Sequence, residues 1–270
     1  MKLAICNEVF EGWRFADACA AVRDAGYSGI EIAPFTFGKP VQEISPTECA
    51  AWRAEARCAG LEIVGLHWLL AKTHGFHINS PDAAVRQRTV AHLVDLVELC
   101  AELGGGVMVF GSPQQRHVSD GVSLEQATDY AIETLRALVP ALESRGVTFC
   151  LEPLAKCETD FINTAGAAAD IINAVGSPNV QLILDVKAMS LQDEPIPDTI
   201  RGNKSILKHF HANDANLRGP GFGNTDFVPI ARALKEIGYS GWVSVEVFDF
   251  TPDPVTIANK SIQYLKSVFD

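Results

Sequence analysis

The stretch LESRGVTFCLEP, residues 142–153, contains the unit that decides the fold. It joins a helical pattern to a glycine, and the glycine to a short apolar run rich in β-branched and aromatic residues. A glycine directly after a helix adopts the left-handed conformation without a steric penalty, so it commonly ends the helix. The apolar run that follows predicts a buried strand.

The same unit recurs along the whole chain. Five further helical patterns end at a glycine, in RDAG (23–26), ARCAG (56–60), CAELGG (100–105), INAVG (172–176) and LKEIG (234–238). Eight short apolar runs follow one another, from KLAICN (2–7) to GWVSVEVF (241–248). Eight strands alternating with helices predict a (β/α)8 TIM barrel, as a single domain over residues 1–270. The alternative is a doubly wound open sheet, but the G-x-G-x-x-G turn typical after its first strand is absent.

Composition narrows the class of protein. The chain has 270 residues, 47% of them hydrophobic, and a formal net charge of −11. No apolar run reaches the roughly 20 residues that a membrane span needs, and an acidic chain without a lysine or arginine run disfavours nucleic acid. The seven cysteines include no C-x-x-C pair, which fits a reducing compartment. We therefore expect a cytoplasmic protein with no membrane or nucleic-acid partner, whose first residues form a strand and not a signal peptide.

The tetrapeptide GYSG occurs twice, at residues 26–29 and 238–241, each time before an apolar run that carries a glutamate. The repeat itself indicates one kind of helix-to-strand corner used twice. Glu31 lies two residues after the first copy, whereas Glu246 lies five residues after the second. In the same register the two side chains would face opposite sides of the sheet. We therefore expect Glu246 to take part in chemistry and Glu31 to lie outside the site.

Polar side chains stand at the ends of the last four predicted strands. They are Glu152, Asp185, His211 and Glu246. The C-terminal strand ends are where barrels place their chemistry, and ionised carboxylates cluster in an apolar barrel mouth only if a cation neutralises them. Three carboxylates and an imidazole suit one divalent ion, Mn²⁺ or Mg²⁺ first, with Co²⁺ or Zn²⁺ as alternatives. A structural charge network is the competing interpretation.

These segments resemble the xylose isomerase-like TIM barrels of sugar isomerases and epimerases, close to the tagatose/psicose 3-epimerase and hydroxypyruvate isomerase branches. The resemblance covers nearly the whole chain, from AICNEVF (4–10) through LEPLAKCETDFINT (151–164) to GYSGWVSVEVF (238–248). It implies that one divalent metal is bound by all four strand-end residues. It also implies that Glu152 and Glu246 form the acid/base pair and that the substrate is a small sugar or sugar-like molecule.

The chemistry of such a site follows from general principles. A bound cation polarises a ketone oxygen and the neighbouring hydroxyl, and so stabilises the cis-enediolate formed when the adjacent C–H proton leaves. Two carboxylates on opposite sides of the sugar can take and return protons. Return to the other face of the same carbon gives epimerisation, and return to the neighbouring carbon gives isomerisation. The sequence predicts a metal-dependent isomerase or epimerase of a small ketose or hydroxy-ketone, and leaves both outcomes open.

Four further residues are candidates for substrate contact, namely His67, Glu158, Lys187 and Arg218. His67 ends the third strand beside Trp68, whose ring could stack on a sugar face, although a packed barrel histidine is an equal alternative. Glu158 matches a family position that contacts sugar hydroxyls. Arg218 follows the seventh strand and could bind a hydroxyl, carboxylate or phosphate as a planar fork.

Lys187 lies two residues after Asp185, a spacing that on a strand places both side chains on one face. It could pair with a ligand carboxylate or reach an anionic substrate. The epimerases usually have a substrate-binding histidine just past this aspartate, whereas this chain has DVKAMS (185–190). The departure argues against a strict ketohexose 3-epimerase specificity.

Other functions fit part of the pattern. A lyase of the inosose or dehydroshikimate dehydratase type resembles this sequence at the same four ligands, and would expel a β-hydroxyl from the same enolate. An abasic-site endonuclease shares the barrel but needs a histidine-rich, multi-metal site and a surface that tolerates DNA. A non-catalytic binding protein would not need the complete ligand set. The partners expected are a small sugar and, in a dimer or tetramer, further copies of the chain.

Overall fold

Eight parallel strands pair in chain order, and the last pairs with the first to close a barrel. The structure is a computed structural model that describes residues 1–269. The strands are β1 (Lys2–Cys6), β2 (Gly29–Ile32), β3 (Glu62–Leu66), β4 (Val107–Phe110), β5 (Thr148–Leu151), β6 (Val180–Asp185), β7 (Leu207–Ala212) and β8 (Trp242–Val245). Each predicted apolar run contains one strand, so the (β/α)8 barrel prediction is confirmed.

Helices follow every strand and surround the barrel. They are α1 (Phe15–Ala25), α2 (Pro46–Cys58), α3 (Ala83–Leu103), α4 (Leu124–Arg145), α5 (Ala165–Val175), α6 (Val186–Met189), α7 (Ile196–Gly202), α8 (Phe227–Glu236) and α9 (Pro254–Phe269). The predicted stop glycines all have a positive φ, for example 84° at Gly104 and 66° at Gly146. The predicted helix ends are therefore confirmed.

A small apolar cluster fills part of the barrel interior, formed by Val107, Val109, Cys150 and Ile183. Cys150 and Ile183 each precede a predicted metal ligand by two residues, so they share its face of the sheet. The barrel interior directly beneath Glu152 and Asp185 is therefore apolar. Over residues 1–269, no helix combines the length and apolar character needed to cross a membrane, and all seven cysteines are free thiols.

Candidate metal and active site

The four predicted metal ligands converge at the C-terminal mouth of the barrel. Each offers one donor atom, and these atoms all lie within 4.8 Å of one another. All four side chains are buried, the most exposed at only 5%. They are Glu152 and Glu246 just after β5 and β8, Asp185 at the end of β6, and His211 within β7. Since four oxygen and nitrogen donors meet in one buried position, the set fits a single divalent cation.

The carboxylates of this cluster repel one another. Burial raises the pKa of Glu152 well above its usual value, and the charges of Glu246 and Asp185 raise it further. Burial and Glu246 also raise the pKa of Asp185 to about 6. A buried group of acids that resist joint ionisation lacks positive charge, which a divalent ion would supply. The electrostatics therefore agree with the donor set in favouring a metal.

His211 lies between two carboxylates. Its Nδ1 is 3.1 Å from Glu246 Oε2, and its Nε2 is 3.1 Å from Glu31 Oε1. Burial alone would lower the pKa of His211, but Glu246 and Glu31 raise it well above its usual value. Because Glu31 accepts the hydrogen on Nε2, Nδ1 is the nitrogen that faces the cluster and can exchange its proton for a metal.

The expectation that Glu31 and Glu246 face opposite sides is wrong. Ala4 of β1 pairs with Gly29 on one side and with Ser244 on the other, so the two glutamates lie in the same layer and both point into the barrel. The glycines of the two GYSG copies are not equivalent in the sheet, and counting from them gave the wrong face. Glu31 is nevertheless outside the four-residue cluster, directly behind His211.

Backbone and side-chain contacts hold the acids in place. Asp185 Oδ1 accepts a hydrogen bond from Ala188 N at 2.7 Å, and its other oxygen accepts one from the Asn213 side chain. Arg116 donates to the backbone carbonyl of Glu152 at 2.6 Å, not to its carboxylate. Gly111 leaves room for that carboxylate, since a Cβ there would lie 2.5 Å from Glu152 Oε2.

A cavity of about 330 Å³ opens over the cluster, a volume within the range of small-molecule sites. Its lining includes Trp68, Lys72, Gly111, Ser112, Glu152, Leu154, Glu158, Lys187, Glu246 and Phe248. Two of the four substrate candidates, Glu158 and Lys187, are on this wall and bound to each other. Lys187 Nζ lies 2.7 Å from Glu158 Oε1 and 3.8 Å from the centroid of the Phe248 ring.

Lys187 lines the cavity from a different secondary-structure element than the one expected. The prediction placed it on a strand face together with Asp185, but β6 ends at Asp185 and Lys187 lies in the one-turn helix α6. The helix begins there because the Asp185 side chain caps it through Ala188 N. The strand-face argument is therefore wrong, although the residue does line the cavity.

The other two substrate candidates lie off the cavity wall. His67 is completely buried, and its Nε2 is 2.8 Å from Glu8 Oε2. Arg218 Nε is 2.8 Å from Asp249 Oδ2, and its Nη2 is 2.9 Å from Thr251 Oγ1, so it joins the loops after β7 and β8. Neither His67 nor Arg218 lines the cavity, so their roles as substrate contacts stay predictions.

Sequence reasoning missed a set of buried charged residues beside and behind the ligands. Glu31 accepts from His209 Nε2 at 2.8 Å as well as from His211, and Glu8 partners His67. His209 could have been recognised from the sequence, because it precedes His211 by two residues and so lies on the same strand face. Glu8 and Glu31 could have been noticed as acids inside apolar runs, but their partners are distant in sequence.

The fold and this cluster define a class of protein, the (β/α)8 barrel enzymes whose polar groups meet at the C-terminal strand ends. The chain belongs to the xylose isomerase-like TIM barrel family, whose sequence profile matches residues 19–268.

Curated relatives agree with this membership. A D-psicose 3-epimerase of Ruminiclostridium cellulolyticum is 30% identical over 233 residues, which are 84% of this chain and 76% of that protein. An L-ribulose 3-epimerase of Mesorhizobium japonicum is 33% identical over 175 residues, 63% of this chain and 58% of that protein. The relatives are epimerases, so the chain is an enzyme of the sugar epimerase and isomerase class.

A solved structure confirms the fold. The crystal structure of a D-psicose 3-epimerase with D-tagatose from Clostridium cellulolyticum H10 superposes on this chain with a TM-score of 0.89 at 23% identity, covering 100% of both chains.

Proposed function

We propose that this chain is a divalent-metal-dependent epimerase or isomerase of a small ketose or a related hydroxy-ketone. The observation that carries the proposal is the meeting of four metal-competent side chains in one buried position on the floor of a sugar-sized cavity. Relatives named as ketose 3-epimerases support proton exchange at a carbon next to a carbonyl.

The residues that would bind the metal are Glu152, Asp185, His211 and Glu246. Mn²⁺ and Mg²⁺ suit the oxygen-rich set best, with Co²⁺ and Zn²⁺ as alternatives. When bound, the ion supplies Lewis-acid polarisation of the substrate carbonyl and its neighbouring hydroxyl, which acidifies the adjacent C–H bond. Glu31 keeps the Nε2 hydrogen of His211 and so presents Nδ1 to the ion.

Glu152 and Glu246 are assigned the acid and base roles. They approach the cavity from β5 and β8, and both line it. Burial and neighbouring acids raise the pKa of Glu152. In Glu246 burial also raises the pKa, but the combined attraction of His211, His67 and Lys187 outweighs it and lowers the pKa. Two carboxylates with opposite pKa shifts suit a reaction in which one group donates a proton while the other accepts one.

Glu158 and Lys187 are assigned to the substrate hydroxyls. The two side chains form an ion pair on the cavity wall, with exposures of 25% and 7%. Their charges cancel, so the pair presents hydrogen-bond donors and acceptors without a net charge, which suits an uncharged sugar. Phe248 and Trp68 supply apolar surface beside them for a sugar face.

The test is proton exchange in deuterated water. The chelator-stripped chain is incubated with D-psicose, D-fructose, D-tagatose and L-ribulose, with and without Mn²⁺, and NMR follows label next to the carbonyl. We expect label and an epimeric or isomeric product only with Mn²⁺, and neither in Glu152→Gln or Glu246→Gln. Glu62→Gln is the matched control, since Glu62 pairs with Lys2 at the opposite end of the barrel. Absence of label with every ketose would contradict the proposal, and loss of water to an enone would favour the dehydratase alternative.

A further inference from the structure

Trp68 has an unusual backbone conformation for its residue type. Its φ is 51°, in the left-handed region, where a side chain other than glycine costs about 1 kcal/mol or more. Five described residues other than glycine have a positive φ, and three of them, Trp68, Lys72 and Ser112, line the cavity. Backbone strain of this kind persists where surrounding contacts impose it, and it concentrates at functional sites.

In this conformation the Trp68 indole reaches the candidate acid/base residue Glu246. Its Nε1–H donates to Glu246 Oε1 at 2.7 Å. The ring contacts two others, with centroid distances of 5.8 Å to Phe35 and 5.9 Å to Phe248. A hydrogen bond to a carboxylate is stronger than one between neutral groups, and the neighbouring aromatic rings restrict the rotation of this donor.

The two oxygens of Glu246 therefore have different partners. Oε1 accepts from Trp68, and Oε2 lies next to His211 Nδ1, the nitrogen that faces the ligand cluster. One oxygen of Glu246 is thus available to a metal ion, while the indole holds the other. Without the indole N–H, both oxygens could turn to the ion, and Glu246 would lose the orientation that proton exchange requires.

We propose that Trp68 is a positioning residue, whose indole N–H restricts Glu246 to one metal-facing oxygen and is required for turnover but not for metal binding. The inference rests on the proposed function for its kinetic consequence, although the hydrogen bond itself is independent of it. It predicts an unusual combination of effects, in which loss of the N–H leaves the affinity for Mn²⁺ equal or higher while kcat falls.

The hydrogen bond is tested first, without turnover. The ¹H–¹⁵N spectrum of the metal-free full chain contains four indole resonances, one for each tryptophan, and Trp68→Phe identifies that of Trp68. In Glu246→Gln we expect the Trp68 resonance to move, because its acceptor loses a charge, while those of Trp13, Trp52 and Trp242 stay in place. An unmoved Trp68 resonance would overturn the inference whatever the reaction of the enzyme.

The kinetic consequence is tested with two variants at position 68, Trp68→Phe and a replacement by the isosteric benzothienylalanine, which has sulfur in place of the N–H. We expect each to bind Mn²⁺ at least as tightly as the parent by calorimetry, and to lower kcat on D-psicose about 10- to 100-fold with a smaller change in KM. Trp13→Phe, at an indole outside this cavity, is the matched control.

The outcomes separate the interpretations. A benzothienylalanine enzyme with parental kcat would show that only the ring shape matters, and would overturn the role of the N–H. Parallel losses of Mn²⁺ affinity and kcat in both variants would indicate a merely structural role, and would overturn it as well. If the parent enzyme converts no ketose, the proposed function fails, whereas the indole resonance and the Mn²⁺ affinities still decide the role of Trp68.

Discussion

Replacing Glu31 by glutamine is expected to weaken metal binding although Glu31 is outside the ligand cluster. Its carboxylate accepts from His209 Nε2 at 2.8 Å and from His211 Nε2 at 3.1 Å, and it is completely buried. Glutamine offers one oxygen and one NH₂ group, so one of the two imidazole N–H groups would face a donor. The Nε2 hydrogen of His211, and with it the orientation of Nδ1, would no longer be fixed.

The magnitude follows from the two functions of this carboxylate. Loss of a partner that orients a metal-binding histidine typically lowers metal affinity 10- to 100-fold, about 1.4 to 2.8 kcal/mol. Removing one member of a buried charged pair also lowers the free energy of unfolding, by about 3 to 5 kcal/mol in the metal-free protein. Glu31→Gln should therefore fold, with a lower Tm and a weaker affinity for Mn²⁺.

Calorimetric titration of the chelator-stripped protein with Mn²⁺ measures the first effect, and thermal unfolding without metal measures the second. Glu62→Gln makes the same chemical change at an exposed ion pair with Lys2, where we expect a change of about 1 kcal/mol or less. Glu31→Asp, which keeps the charge, should recover part of the affinity. A folded Glu31→Gln protein that binds Mn²⁺ as tightly as the parent would refute the role assigned to Glu31.

Three further predictions test other parts of the structure. Gly111→Ala should lower Mn²⁺ affinity and label exchange at least about tenfold, because the new Cβ displaces the Glu152 carboxylate; Gly106→Ala, with open space around it, should not, and equal effects in the two would contradict the geometry. Lys187→Met should raise KM for a ketose more than it lowers kcat in steady-state assays, because a hydroxyl-binding group is lost; an unchanged KM would remove that role. Burial beside a second histidine lowers the pKa of His77 to about 4 from 6.5, so the unfolded chain takes up the proton first and stability falls as the pH drops through this range. His77→Gln should lose less Tm than the parent between pH 7 and pH 4, and identical losses would exclude this contribution.

The barrel could be predicted from the sequence because its unit is local. A helix, a stop glycine and an apolar strand are encoded within a short stretch such as 142–153, and the number of repeats fixes the architecture. The candidate ligands could be predicted from the sequence for a similar reason, since each ends an apolar run on its own strand. Neither inference required knowledge of which residue of one strand lies beside which residue of the next.

The predictions that were wrong depended on the register between neighbouring strands. Glu31 was placed on the wrong face because the offset between β1, β2 and β8 is set by closure of the whole barrel, and not by the GYSG corners. The pairing of His67 with Glu8 joins residues just after β3 and just after β1, and no local sequence pattern indicates it. Lys187 was misassigned because a strand and a helix meet at Asp185 without an intervening loop.

The buried charges near the C-terminal mouth of the barrel form two groups. Behind the ligand cluster each buried acid has an imidazole partner, since Glu31 accepts from His209 and His211, and Glu8 pairs with His67. In the ligand cluster three carboxylates meet a single imidazole, that of His211, which Glu31 also shares, and the ammonium of Lys187 is already bound to Glu158. Burying that excess of negative charge is unfavourable unless a cation joins it. The acids behind the cluster are therefore paired with imidazoles, whereas the cluster itself keeps an excess of negative charge, and a divalent ion and an electron-rich substrate oxygen can enter there together.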